Sequence, residues 1–88
     1  MTTTGSITET SDADAVRDSF GDPRRFEVLF DRHYDAIARY LCQRVGQQLA
    51  DELASETFLQ AFASRSRYDV THRDARPWLY GIATNLLR

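Results

Sequence analysis

Trp78, Gly81 and Asn85 are the residues of this 88-residue chain whose types and spacing could carry chemistry. Seven residues advance an α-helix by almost two whole turns, so Trp78 and Asn85 stand nearly one above the other, with Gly81 on the same side. The stripe offers an aromatic plane, a gap, and an amide that both donates and accepts hydrogen bonds, with Arg76 and Arg88 at its two ends. An unstacked nucleotide base has a flat face and a hydrogen-bonding edge, and such a surface suits it. The same spacing also fits a Trp78 packed in a core and an Asn85 left in solvent; periodicity does not separate the two readings.

Other chemistries find less support. The chain has no glycine-rich phosphate loop, no nucleophile motif, and no carboxylate pair whose spacing implies acid and base roles. Cys42 is the single cysteine, which excludes an intramolecular disulfide and a multi-cysteine metal site. His33 and His72 lie on different elements with no second histidine at ligand spacing, so neither suggests a metal centre. No catalytic residue, metal or cofactor is therefore expected. No apolar run approaches a membrane span and the N-terminus has no signal-peptide pattern, so the expectation is a cytoplasmic protein.

Charge is distributed unevenly. All eleven basic residues are arginines, and Glu9, Asp12, Asp14, Asp18 and Asp22 face only Arg17 at the front of the chain. From Thr57 onward Arg65, Arg67, Arg73, Arg76 and Arg88 face only Asp69 and Asp74. A basic rear points to a polyanionic partner there, while the net charge of −2 argues against indiscriminate coating of DNA.

The elements that would position these residues are helical. Residues 1–21 are too polar to bury a face and read as a disordered acidic tail. Asp22 before Pro23 is a helix-start signal, and Phe26, Leu29, Phe30, Tyr34, Ile37, Ala38, Leu41 and Val45 form one stripe ending at Gly46. After a Gln47–Gln48 turn, a second helix over Leu49–Ser64 buries Leu53, Phe58, Ala61 and Phe62. Its opposite side presents Asp51, Glu52, Ser55, Glu56 and Leu59, which alone reads as a solvated acidic face. Residues 65–73 form a basic loop, and a third helix from Pro77 buries Leu79, Ile82, Ala83 and Leu86. The spacing predicts an all-α domain of three helices over residues 22–88, with Phe30, Ile37, Leu53, Phe58, Phe62, Leu79 and Ile82 in its core.

Three blocks in order, FEVLFDRHYDAIARYL, ADELASETFLQAF and RPWLYGIATNLLR, resemble region 2 of bacterial sigma factors of the extracytoplasmic-function group. The resemblance implies a non-catalytic transcription initiation factor. It would dock on the clamp helices of the RNA polymerase β′ subunit and recognise the non-template strand of the minus-ten promoter element. By position, it assigns polymerase binding to Asp51, Glu52, Ser55, Glu56 and Leu59, with Ser55 standing where the family often has Gln. It implies DNA binding by Tyr68, Arg73, Arg76, Trp78, Asn85 and Arg88. An anti-sigma factor is a further implied partner. The family pattern continues past Arg88, so the domain's C-terminal end is expected to be truncated. Two alternatives stay open: a helical protein-interaction module held by an anti-sigma factor, and a helix-turn-helix reader of duplex DNA.

Overall fold

The computed structural model describes residues 10–88. Helices α1 (Asp12–Asp18), α2 (Glu27–Val45), α3 (Gln47–Ala63) and α4 (Arg76–Leu86) follow one another, with single 3-10 turns at Pro23–Phe26 and Arg65–Arg67. Among the described residues there is no strand, and the expected all-α class holds. No helix is long and apolar enough to cross a membrane, among the described residues.

Helices α2 and α3 form a hairpin hinged on one residue. Gly46 has a φ of 88°, a left-handed conformation that costs glycine little. Its N–H donates to the Cys42 carbonyl at 2.9 Å and its own carbonyl accepts from the Ala50 N–H at 3.0 Å. One residue thus closes α2 and opens α3, and the expected Gln47–Gln48 turn lies inside α3 instead. The two helices run antiparallel, as two ring pairs record: Phe26 with Phe62 at 5.4 Å and Phe30 with Phe58 at 5.1 Å, both edge to face. Asp22 caps as expected, accepting from the Arg24 N–H at 3.2 Å, but what it caps is the 3-10 turn that feeds α2.

Helix α4 packs across the hairpin through the fully buried Leu79 and Ala83. Tyr40 of α2 fixes its rotation: its hydroxyl lies 2.8 Å from that of Thr84, and its ring meets Tyr80 edge-on at 5.0 Å. Of the expected core, Ile37, Phe58 and Leu79 are buried, and Leu53, Phe62 and Ile82 are half-buried. Phe30 is the correction, with 42 % of its surface exposed. It sits at the margin of the α2–α3 contact, one ring face on Tyr34 and Phe58 and the other open.

The tail expected over residues 1–21 is corrected at its rear; residues 1–9 lie outside the described residues. Ser11 accepts from the Asp14 N–H at 3.1 Å and starts α1, whose Ala13, Ala15 and Val16 are buried. The packed body therefore begins at Ser11, ahead of the boundary drawn at Asp22. Polarity misled here because Asp12, counted as a solvated acid, is buried with both oxygens hydrogen-bonded.

Candidate nucleic-acid and protein interfaces

The outward face of α3 carries Asp51, Glu52, Ser55, Glu56 and Leu59, and every one of them is exposed. Ala50, Ala54, Thr57, Phe58 and Ala61 turn the other way into the core, so the face is firm because its back is anchored. Leu59 keeps 64 % of its surface in solvent. It belongs to an apolar groove of about 550 Å³ shared with Phe26, Phe30, Phe58 and Phe62, with Glu27 and Ser55 at its margin. Sequence periodicity assigned these phenylalanines to the interior and so missed the groove. Carboxylates next to an open apolar groove set acceptors and apolar surface side by side, the combination a basic amphipathic segment would require.

The second surface lies on α4 and the loop before it. Gly81 and Asn85 are exposed and Trp78 is half-buried, on one side of the helix. A Cβ at Gly81 would meet nothing within 4 Å, so the gap between Trp78 and Asn85 opens outward. Arg73 and Arg88 are also exposed. Tyr68 is not presented to solvent: it is buried, its hydroxyl donates to the His72 carbonyl, and its ring supports Trp78 at 4.9 Å between centroids. Burial raises its phenol pKa, with nearby carboxylates adding to the effect. Beside this pair Asp69, His72, Asp74 and Pro77 complete a shallow cavity of about 320 Å³. Arg76 also turns inward, its Nε donating to His33 Nδ1 at 3.0 Å and its terminal nitrogen to the Arg32 carbonyl at 3.3 Å.

Behind that surface is a network that sequence reading missed. Asp12 accepts from the Ala75 N–H at 2.7 Å and from Arg32 at 3.0 Å, and pairs with His33 Nε2 at 2.7 Å. Because His33 Nδ1 accepts from Arg76, its proton sits on Nε2 and is donated to Asp12. Burial raises the Asp12 pKa, but the bonds from Ala75, His33 and Arg32 outweigh it and hold the carboxyl below its ordinary value. Asp12, His33 and Asp74 bring ligand-type atoms within 4.8 Å of one another. The oxygens of Asp12 and both nitrogens of His33 already have partners within the protein, which accounts for the cluster without an ion. A signal for α1 was present: Ser11 followed three residues later by Asp14 is a capping pattern.

Comparisons with known proteins agree with this architecture. The family model described as Sigma-70 region 2 matches residues 29–88. The chain is 38 % identical over 68 residues to the ECF RNA polymerase sigma factor BldN of Streptomyces coelicolor, covering 76 % of this chain and 26 % of that protein. It is 41 % identical over 64 residues to the RNA polymerase sigma factor CarQ of Myxococcus xanthus, covering 72 % of this chain and 36 % of that one. The chain thus spans about a quarter to a third of the curated relatives it matches. No solved structure gave a significant match.

Proposed function

The chain belongs to the extracytoplasmic-function sigma factors and carries their region 2, and from that premise we propose that it lends promoter specificity to RNA polymerase without performing bond chemistry. Its α3 face docks on the clamp helices of β′, with Glu52 and Glu56 accepting charge-assisted hydrogen bonds from basic residues and Leu59 covering apolar surface. Its α4 face receives an unstacked base of the non-template minus-ten strand, with Trp78 as the plane, Gly81 as the gap and Asn85 as the edge reader. Tyr68 braces Trp78 from behind, while Arg73 and Arg88 attract phosphate. Stacking and edge bonds together offset the few kcal/mol needed to take a base out of its stack.

The observation that carries the docking reading is the joint exposure of Asp51, Glu52, Ser55, Glu56 and Leu59 beside the apolar groove. Reversing Glu52 and Glu56 to Arg is expected to abolish capture of the β′ clamp fragment while leaving helicity by circular dichroism unchanged. Undiminished capture by the folded double variant would remove the assignment. The same groove also suits an anti-sigma factor, and competition between that protein and the clamp fragment for one face is the expected result. A duplex reader would instead prefer an intact promoter duplex over the separated non-template strand.

A further inference from the structure

Helix α1 grips the loop between α3 and α4 at both of its ends. At one end the Asp12 N–H donates to the Arg73 carbonyl at 3.0 Å, and its carboxylate accepts from the Ala75 N–H at 2.7 Å. At the other, Arg65 Nε donates to the Ser19 hydroxyl at 2.8 Å, and the guanidinium stacks on the Phe20 ring at 4.6 Å. Asp12 and Ser19 stand at opposite ends of one helix, whose rise fixes their separation at about 10 Å. A rigid rod therefore sets the distance between the two feet of the loop. The start of α4 depends on it further: Asp74 accepts from the Arg76 N–H at 3.0 Å, while the Ala75 amide just before it is met from α1. A helix N-terminus leaves amides without partners, and the Ala75 amide finds its acceptor in Asp12. Arg76, the next residue, is held by His33, which Asp12 holds in turn.

We propose that α1 is a clasp that sets the span of the promoter-facing loop, and that Asp12 is a positioning residue aiming α4 and its Trp78, Gly81 and Asn85. The proposal rests on the base-reading role given to α4 above. Asp12 touches no nucleotide. It acts by fixing where the first turn of α4 begins, and a tilt there displaces Asn85, more than two turns further on, by more than it displaces Trp78.

The test uses the protein bound to core RNA polymerase and compares cognate with scrambled non-template strands, at a temperature where circular dichroism shows each variant folded. Asp12→Ala is expected to lower the cognate-to-scrambled preference on the order of tenfold, the scale of one specific contact. It should also shift Trp78 emission to longer wavelength and leave capture of the β′ clamp fragment unchanged. Asp12→Asn retains an acceptor for the Ala75 amide and is expected to recover most of the preference. Ser19→Ala, which releases the other foot, should lose preference to a smaller extent and serves where Asp12→Ala does not fold. Equal losses on both strands, or no recovery by Asp12→Asn, would reduce Asp12 to a stabilising residue and overturn the clasp. An unchanged preference in the Asp12 and Ser19 variants, with Asn85→Ala losing it, would overturn the clasp and leave base reading intact. Unchanged preference in all of them would overturn both.

Discussion

Specificity and attraction are assigned to different side chains on the α4 surface. An amide reads a base edge, whereas an arginine on the surface neutralises phosphate whatever the sequence. Asn85→Ala is expected to weaken binding to the cognate non-template strand by about 1 to 3 kcal/mol and hardly change binding to a scrambled one. Arg88→Gln should weaken both strands alike and lower the salt dependence by about 0.7 in log–log slope for each phosphate no longer neutralised. Titration of both strands against salt separates the two outcomes. Arg76 offers less to phosphate than Arg88, because its Nε is engaged by His33 and one terminal nitrogen by the Arg32 carbonyl. Asp12 makes a separate prediction about acid. Its native carboxyl titrates below its ordinary value of 3.8, so the unfolded chain takes up the proton first. The stabilisation is complete above that value and falls away as pH drops through the lower native one. Asp12→Asn should therefore flatten the fall of Tm below about pH 4, measured against the parent protein. Asp22, held low by Arg24, and Asp69, held low by Thr71, titrate in the same window in both proteins.

The helices differ in how openly the sequence announces them. The stripes of α2, α3 and α4 were readable because each has apolar residues at spacings of three and four, and Gly46 marked the hinge. What periodicity did not contain was the depth of each position. Phe30 and Leu59 obey or break the stripe with equal indifference to whether a neighbouring helix reaches over them, and the groove between them depends on where α3 stops covering α2. Helix α1 stayed hidden for the opposite reason. Its seven residues bury little apolar surface, and it is held by Asp12 to residues about sixty positions away, a pairing no local pattern encodes. In α4, Gly81 gives an element-scale test. Glycine in a helix interior is less favourable than alanine by about 0.5 to 1 kcal/mol, and a methyl group here meets no neighbour. Gly81→Ala should raise Tm while lowering affinity for the cognate strand, because the methyl enters the gap beside Trp78. An affinity equal to the parent's would place the base elsewhere.

At the scale of the whole molecule, the two proposed surfaces divide the chain's charge between them. In that proposal the α3 face suits a basic protein partner and the basic rear suits DNA; a net charge of −2 lets both coexist without a strong field of either sign. Charge order alone pointed to a polyanion partner for the rear, whereas the inward turn of Tyr68 and Arg76 was not legible, since a sequence records charge and aromaticity but not direction. The clasp also sets a timetable. Chains emerge from the ribosome N-terminus first, so α1 is the first of these helices made, yet its partners Arg73 and Ala75 arrive about sixty residues later. The α2–α3 hairpin, hinged on a single glycine, can close as soon as Ala63 is free. First-born α1 can pair with Arg32 and His33 of α2 early, but its bonds to the loop wait until Arg73 and Ala75 are made. Ribosome-arrested chains of increasing length should show a second step of α1 protection from protease once Ala75 has cleared the exit tunnel. A nascent chain cut short before that point would carry the α2–α3 hairpin with its acidic face and no α4 at all.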